Sequence, residues 1–155
     1  DWTNHLSTLF PDVRLKRFLE MRGADGGPWR RICALPAFWV GLLYDDATLE
    51  AVDALTRGWS FAEVNALRDA VPAKGLKAEI AGRSLLDIAR EVVSLSRQGL
   101  KNRARLNAEG QDESVFLGPL DEVVAKQTTL ADDLLSLYHG RWNGSVDPVF
   151  DEYQY

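Results

Sequence analysis

The segment spanning residues 13–31, VRLKRFLEMRGADGGPWRR, constrains this chain more than any other. Its first half alternates. Val13, Leu15, Leu19 and Met21 fall on one side, with Arg17 as the exception, and Arg14, Lys16, Phe18, Glu20 and Arg22 fall on the other. Period-two alternation predicts a strand with one buried face, and such a strand sets Glu20 and Arg22 side by side. The run Gly23-Ala24-Asp25-Gly26-Gly27-Pro28 then predicts a loop, since glycine, aspartate and proline each favour turn backbone. Pro28 suits the first turn of a helix that Trp29, Arg30 and Arg31 open.

An acid and a guanidinium on one strand face have two readings. One is a site for metal and phosphate. A carboxylate is a hard oxygen ligand suited to Mg²⁺, which takes one or two protein carboxylates plus phosphates and water. Arginine offers a planar fork to phosphate oxygens and stays charged. Arg14 and Lys16 leave the face net positive, which favours an anion. The helix that follows adds free amides at its N-terminus. The other reading is a solvated face with a local ion pair of small energetic consequence.

The string LEMRGADGGPWRRICALPAFWVGLLYD, residues 19–45, resembles the plant and proteobacterial type of glutamate–cysteine ligase. The resemblance runs back through DWTNHLSTLFPDVRLKRF and forward to GSVDPVFDEYQY, so it covers essentially the whole chain. It implies the C-terminal portion of an enzyme roughly two to three times longer, of which residues 1–27 form an active-site strand region and residues 28–155 a helical region. The implied activity is ATP-dependent ligation of L-glutamate, through its γ-carboxylate, to L-cysteine. The product is γ-glutamylcysteine, made through an acyl phosphate in the first step of glutathione synthesis. The family's Glu-x-Arg matches Glu20-Met21-Arg22. By that match Glu20 ligates Mg²⁺ and Arg22 contacts the transferring phosphoryl group, with Arg14 a further catalytic candidate on the same face. Trp2 and Trp29 are candidate walls of the substrate pocket. The other metal carboxylates and most of the ATP site would come from the remainder of the polypeptide, so the 155-residue chain alone is expected to be inactive.

The implied fold is mainly α with a short β element, as the C-terminal part of a glutamine-synthetase-like carboxylate–amine ligase. Within this chain the strand would be an orphan or would close a short hairpin. Length 155 and 46% hydrophobic residues suffice for a packed domain. A net charge of −5 argues against nucleic acid or an anionic membrane as partner. No run of about 18 apolar residues predicts a membrane span, and no basic-then-apolar leader stands at the start. The single cysteine, Cys33, allows no intrachain disulfide, which suggests a reducing, cytoplasmic setting.

Elsewhere the patterns are helical. Residues 1–10 predict a short helix with Trp2, Leu6, Leu9 and Phe10 on one side, and His5 capping, solvated or lining the pocket. Residues 28–44 predict a helix apolar almost all round, hence buried, and kinked at Pro36. Asp45-Asp46 would cap a helix to about Leu55 with Leu49, Val52 and Leu55 inward. Ser60 and Glu63 form a capping-box pattern opening a helix that Pro72 stops. Residues 74–82 read as a loop. Ser84 opens the longest helix, with Leu85, Ile88, Val92, Leu95 and Ser96 as its stripe; Gly99 weakens that helix without ending it. Arg97, Lys101, Arg103 and Arg105 follow, either stabilising the helix end or forming a nucleotide-facing patch. Residues 107–114 read as a polar surface loop. Helices are expected from Gly118-Pro119 to about Lys126 and from Thr129 to Tyr138, closed by Gly140. The aromatic tail, residues 141–155, is expected to pack on missing polypeptide or on a partner. Two alternatives stand beside the ligase: a helical packing or homodimerisation module, and a related ligase with another amine acceptor.

Overall fold

The computed structural model describes residues 1–8, 11–24 and 26–153. These form eight α-helices and two small antiparallel hairpins. In order they are α1 (Trp2–Ser7), β1 (Val13–Leu15), β2 (Leu19–Met21), α2 (Trp29–Leu43), α3 (Asp46–Thr56), α4 (Phe61–Lys74), β3 (Glu79–Ile80), β4 (Arg83–Ser84), α5 (Leu85–Arg103), α6 (Gly118–Lys126), α7 (Leu130–His139) and α8 (Pro148–Glu152). The chain is therefore mainly α. Among the described residues no single helix is long and apolar enough to cross a membrane. Of the side expected on α1, Leu9, Phe10 and the side chain of Leu6 lie outside the described residues.

The centre is the crossing of α2 and α5, which two glycines make possible. A Cβ on Gly99 would overlap the Gly41 carbonyl oxygen and lie 2.9 Å from its carbon. A Cβ on Gly41 would lie 2.8 Å from the Ser96 carbonyl carbon. Backbone therefore meets backbone, and only residues without a Cβ allow it. Ser96 is fully buried there, and its hydroxyl donates to the Phe38 carbonyl at 2.9 Å. That bond satisfies a polar group that would otherwise be expensive to bury. Beside the crossing, Ala37, Leu100 and Leu117 form the core, with Phe38, Val40 and Leu120 packed against it. The inner stripe of α5 is thus Ile88, Val93, Ser96, Gly99 and Leu100, rotated from the expected one. Leu85, Val92 and Leu95 are only half-buried. Gly99, expected merely to weaken the helix, is what lets α5 touch α2.

The same geometry corrects the reading of α2 as buried all round. Only Ala34, Ala37, Gly41 and Leu42 are buried, whereas Trp29, Ile32 and Leu35 are exposed. α2 packs against α5, α3 and α6. The helix runs on through Pro36. Asp45 caps α3 by accepting from the Thr48 amide at 2.9 Å and its hydroxyl at 2.7 Å. Thr48 is buried as a result, while Leu49, expected inward, is exposed.

Three helix starts follow the local sequence rules. Ser60 with Glu63, and Thr129 with Asp132, form reciprocal capping boxes. Ser84 accepts from the Asp87 amide at 3.1 Å. Pro72 does not stop α4, which continues to Lys74 and ends where the Gly75 amide donates to the Val71 carbonyl. Pro72 stands two residues before the end of α4, where the lost N–H bond and the ring's crowding of the preceding turn cost least, and α4 buries no residue that the distortion would disturb. Residues 74–82, expected as a loop, contain β3 and the turn that leads into β4. Ala81 and Gly82 both take positive φ, at 50° and 74°, as a two-residue hairpin turn requires. The turn sets Ala78 and Ile80 into the interior.

Of the basic cluster at the end of α5, Arg97 and Arg103 are held by partners within the chain. Arg97 donates to both Asp121 oxygens, at 2.6 and 2.5 Å, and to the Ser114 carbonyl at 3.4 Å. Arg103 pairs with Glu113 at 3.3 Å and lies over the Tyr44 ring. The polar segment after it is organised by Asn107, whose side-chain oxygen accepts from the amides of Glu109 and Gln111. The tail folds back on its own chain, contrary to expectation for its central aromatics. Trp142 is buried, its Nε1 donates to Glu152 at 3.1 Å, and its ring meets Tyr153 edge-on. Phe150 remains exposed, and Tyr155 lies outside the described residues.

Candidate functional site

The segment expected as one alternating strand is instead two three-residue strands, β1 and β2, folded on each other about a turn at residues 16–18. β1 and β2 pair antiparallel with Val13 opposite Met21, Arg14 opposite Glu20 and Leu15 opposite Leu19. The Lys16 amide donates to the Phe18 carbonyl at 2.8 Å to close the loop. The Arg22 amide donates to the Asp12 carbonyl at 2.8 Å, extending the ladder one step past both strands.

The register brings the charged residues together. Arg14 Nε donates to Glu20 Oε2 at 2.7 Å, and Lys16 Nζ stands 3.6 Å from the same oxygen. Neither contact uses Oε1. The Arg14 hydrogen bond is the largest influence holding the Glu20 carboxyl below its ordinary 4.5. Partial burial opposes it, and the charges of Arg14, Lys16 and Arg22 add to it. Glu20 is therefore a carboxylate at neutral pH with three cations around it. The expected local Glu20–Arg22 pair is thus part of a larger group, and the nearest partner of Glu20 is Arg14 across the hairpin.

The opposite, apolar face departs from expectation. Val13, Leu15 and Leu19 are 49%, 80% and 56% exposed, so the face read as buried is open. The two strands make their substantial contacts only with each other among the described residues. Alternation reports a face suited to burial but does not supply an element that covers it.

The two aromatic candidates are exposed. The Trp2 ring lies 5.7 Å from the His5 ring, tilted by 33°. Trp29 is the first residue of α2. Pro28 is the residue before that helix, one position earlier than expected, and makes no side-chain cap. The first turn of α2 holds no acid, and Arg30 pairs with Glu122 of α6. Two surface grooves lie away from the hairpin. One, of about 330 Å³, runs between Arg90, Arg97 and Asp121; the other, of about 280 Å³, is lined by Cys33, Val40 and Phe116.

For a divalent cation the donor set is partial. No group of three or more His, Cys, Asp or Glu residues gathers to hold a metal among the described residues. Glu20 fits as a single oxygen ligand of Mg²⁺, which needs one or two carboxylates when phosphates and water supply the rest. Lys16 is the member of the charged group that sequence reading did not assign a role, although it shares the period-two face with Arg14.

The hairpin thus carries one ionised acid among cations on a single face. The whole chain then finds its kin: residues 1–152 match the glutamate-cysteine ligase family 2 (GCS2), and the chain belongs to that family. It is 54% identical over 155 residues to the chloroplastic glutamate–cysteine ligase of Arabidopsis thaliana, and 53% to that of Nicotiana tabacum, covering all of this chain and 28% of each relative. Glutamate–cysteine ligase A, chloroplastic, of Oryza sativa subsp. indica is 51% identical, with 30% of the relative covered. The chain thus spans under a third of the length of the curated relatives it matches.

The cytoplasmic expectation is overturned by these names. The relatives of Arabidopsis thaliana, Nicotiana tabacum and Solanum lycopersicum are all called chloroplastic. A single cysteine speaks to redox state, not to which compartment supplies it.

Proposed function

We propose that this chain works as part of a longer ligase that joins L-glutamate to L-cysteine at the expense of ATP, giving γ-glutamylcysteine, the first step of glutathione synthesis. In this reading ATP phosphorylates the γ-carboxylate and the cysteine amine attacks the acyl phosphate, releasing phosphate. No protein nucleophile is needed, so the protein's contribution is positioning and charge neutralisation. Arg22 offers its fork to the transferring phosphoryl group, and Arg14 holds Glu20 in place. Glu20 supplies one oxygen to Mg²⁺, and the metal, when bound, neutralises phosphate charge. Trp2 and Trp29 stand as pocket walls to be closed by the remaining polypeptide. Residues 1–27 form the reactive edge and residues 28–155 its helical support, within a glutamine-synthetase-like fold.

The observation that carries the reading is the ionised Glu20 held by Arg14 at 2.7 Å, with the Lys16 and Arg22 charges beside it. The test is Glu20→Gln in the full-length protein. Activity should fall at least about a hundredfold, as for loss of a group acting on transition-state charge. Retained activity with an unchanged Mg²⁺ requirement would rule out the metal role. The 155-residue chain alone should show no turnover.

One observation favours a second reading, association through this part of the molecule. Val13, Leu15 and Leu19 on the hairpin, with Trp29 and Ile32 on α2, leave apolar surface open. Light scattering on the isolated chain tests it: a salt-independent homodimer supports the reading, and a monomer at all concentrations refutes it.

A further inference from the structure

The three cations around Glu20 are not held alike. Arg14 makes a full charge-assisted hydrogen bond at 2.7 Å, and its side chain is 24% exposed. Lys16 stands at 3.6 Å, beyond hydrogen-bond range, and its side chain is 44% exposed. Its Nζ also lies 5.8 Å from the centre of the exposed Phe18 ring. A contact of that kind orients a lysine without consuming its donors. Arg14 is thus fixed by Glu20, whereas Lys16 keeps three ammonium donors on a flexible stem at the solvent edge of the same face.

We propose that Lys16 is a binding residue for the terminal phosphates of the nucleotide, kept near its post by Glu20 and the Phe18 ring until the anion arrives. Arg14 is a positioning residue for Glu20. This rests on the ligase reading above and assigns the part of the substrate that the hairpin loop meets. A phosphate oxygen takes Lys16 without breaking any hydrogen bond, because at 3.6 Å none is present to break. Arg14 spends its Nε–H on Glu20 at 2.7 Å, which keeps its guanidinium beside the carboxylate even where its Nη donors reach outward. Glu20 therefore sets the order: one cation stays with the carboxylate and the other is released to the ligand.

The experiment uses the full-length protein with Mg²⁺ and no glutamate or cysteine, so that no turnover occurs. Calorimetry measures the affinity for ATP and for AMP. Lys16→Gln should weaken ATP about tenfold, the size of one charge-assisted hydrogen bond, and leave AMP unchanged. Lys16→Arg should keep ATP within about threefold, since the charge is retained. A second measurement needs no variant: ATP should shield Lys16 of the parent protein from an amine-acylating reagent, read by peptide mass spectrometry, and AMP should not. Unchanged ATP affinity in Lys16→Gln, equal losses for ATP and AMP, or acylation of Lys16 indifferent to ATP would each overturn the proposal. Wild-type turnover is scored separately. A protein that binds ATP through Lys16 but makes no γ-glutamylcysteine would sink the ligase reading and leave this one standing.

Discussion

Gly99→Ala tests the helix crossing on which the fold rests. The added methyl would overlap the Gly41 carbonyl oxygen and stand 2.9 Å from its carbon, where carbon atoms prefer about 3.5–4.0 Å. Both offending atoms belong to backbone, so no rotamer change relieves them; α5 must move off α2. Overpacking of this kind costs up to about 3 kcal/mol. The displacement also breaks the buried Ser96–Phe38 hydrogen bond, for about 1 kcal/mol more. Alanine returns about 1 kcal/mol through helix propensity. The net loss is about 3 kcal/mol, or roughly 6–12 °C in Tm for a chain of this size. Urea unfolding of the 155-residue chain, followed by far-UV circular dichroism, measures it. Gly118→Ala is the control, because a Cβ there meets nothing within 4 Å, and its stability should stay within about 1 kcal/mol of the parent. A Gly99→Ala chain as stable as the parent would refute the close-contact argument, since propensity alone predicts a gain.

Removing a cap hydroxyl should act locally: Ser60→Ala and Thr129→Ala each lose about 1 kcal/mol, read as a shift of the urea midpoint, and no shift in either would argue against the boxes. Trp142→Ala should cost about 3 kcal/mol and expose the tail to proteolysis, because it removes a buried ring and the partner of Glu152. Acid should destabilise the fold. Glu20, Glu63 and Glu122 sit below their ordinary 4.5, and Asp45, Asp87, Asp112 and Asp132 below 3.8, each chiefly through a hydrogen bond to the carboxylate. A depressed folded-state value gives stability that is complete above the unfolded value and lost as pH falls through the folded one. Thermal midpoints should therefore be level from pH 7 to about 5 and fall below about 4.5, and a midpoint that rises on acidification to pH 4 would contradict this.

Local chemistry alone determined a good part of this molecule. Ser60 with Glu63 and Thr129 with Asp132 mark helix starts because a cap is decided within four residues. The alternation in residues 13–22 marked the strand character that residues 13–15 and 19–21 take up, because strand geometry is also local, but not the turn that breaks it. Tertiary structure decided what depends on a distant segment. Gly99 looked like a flaw in a helix until Gly41, far along the chain, was set against it. The rotation of the α5 stripe from Val92 and Leu95 to Val93 and Leu100 follows from that approach. The pairing of Arg14 with Glu20 needed the turn at Lys16-Arg17-Phe18 to close, and Trp142 needed Glu152 and Tyr153 to return to it. In each case sequence pattern gives the preference of a face or a side chain, and only the folded chain names the surface that meets it.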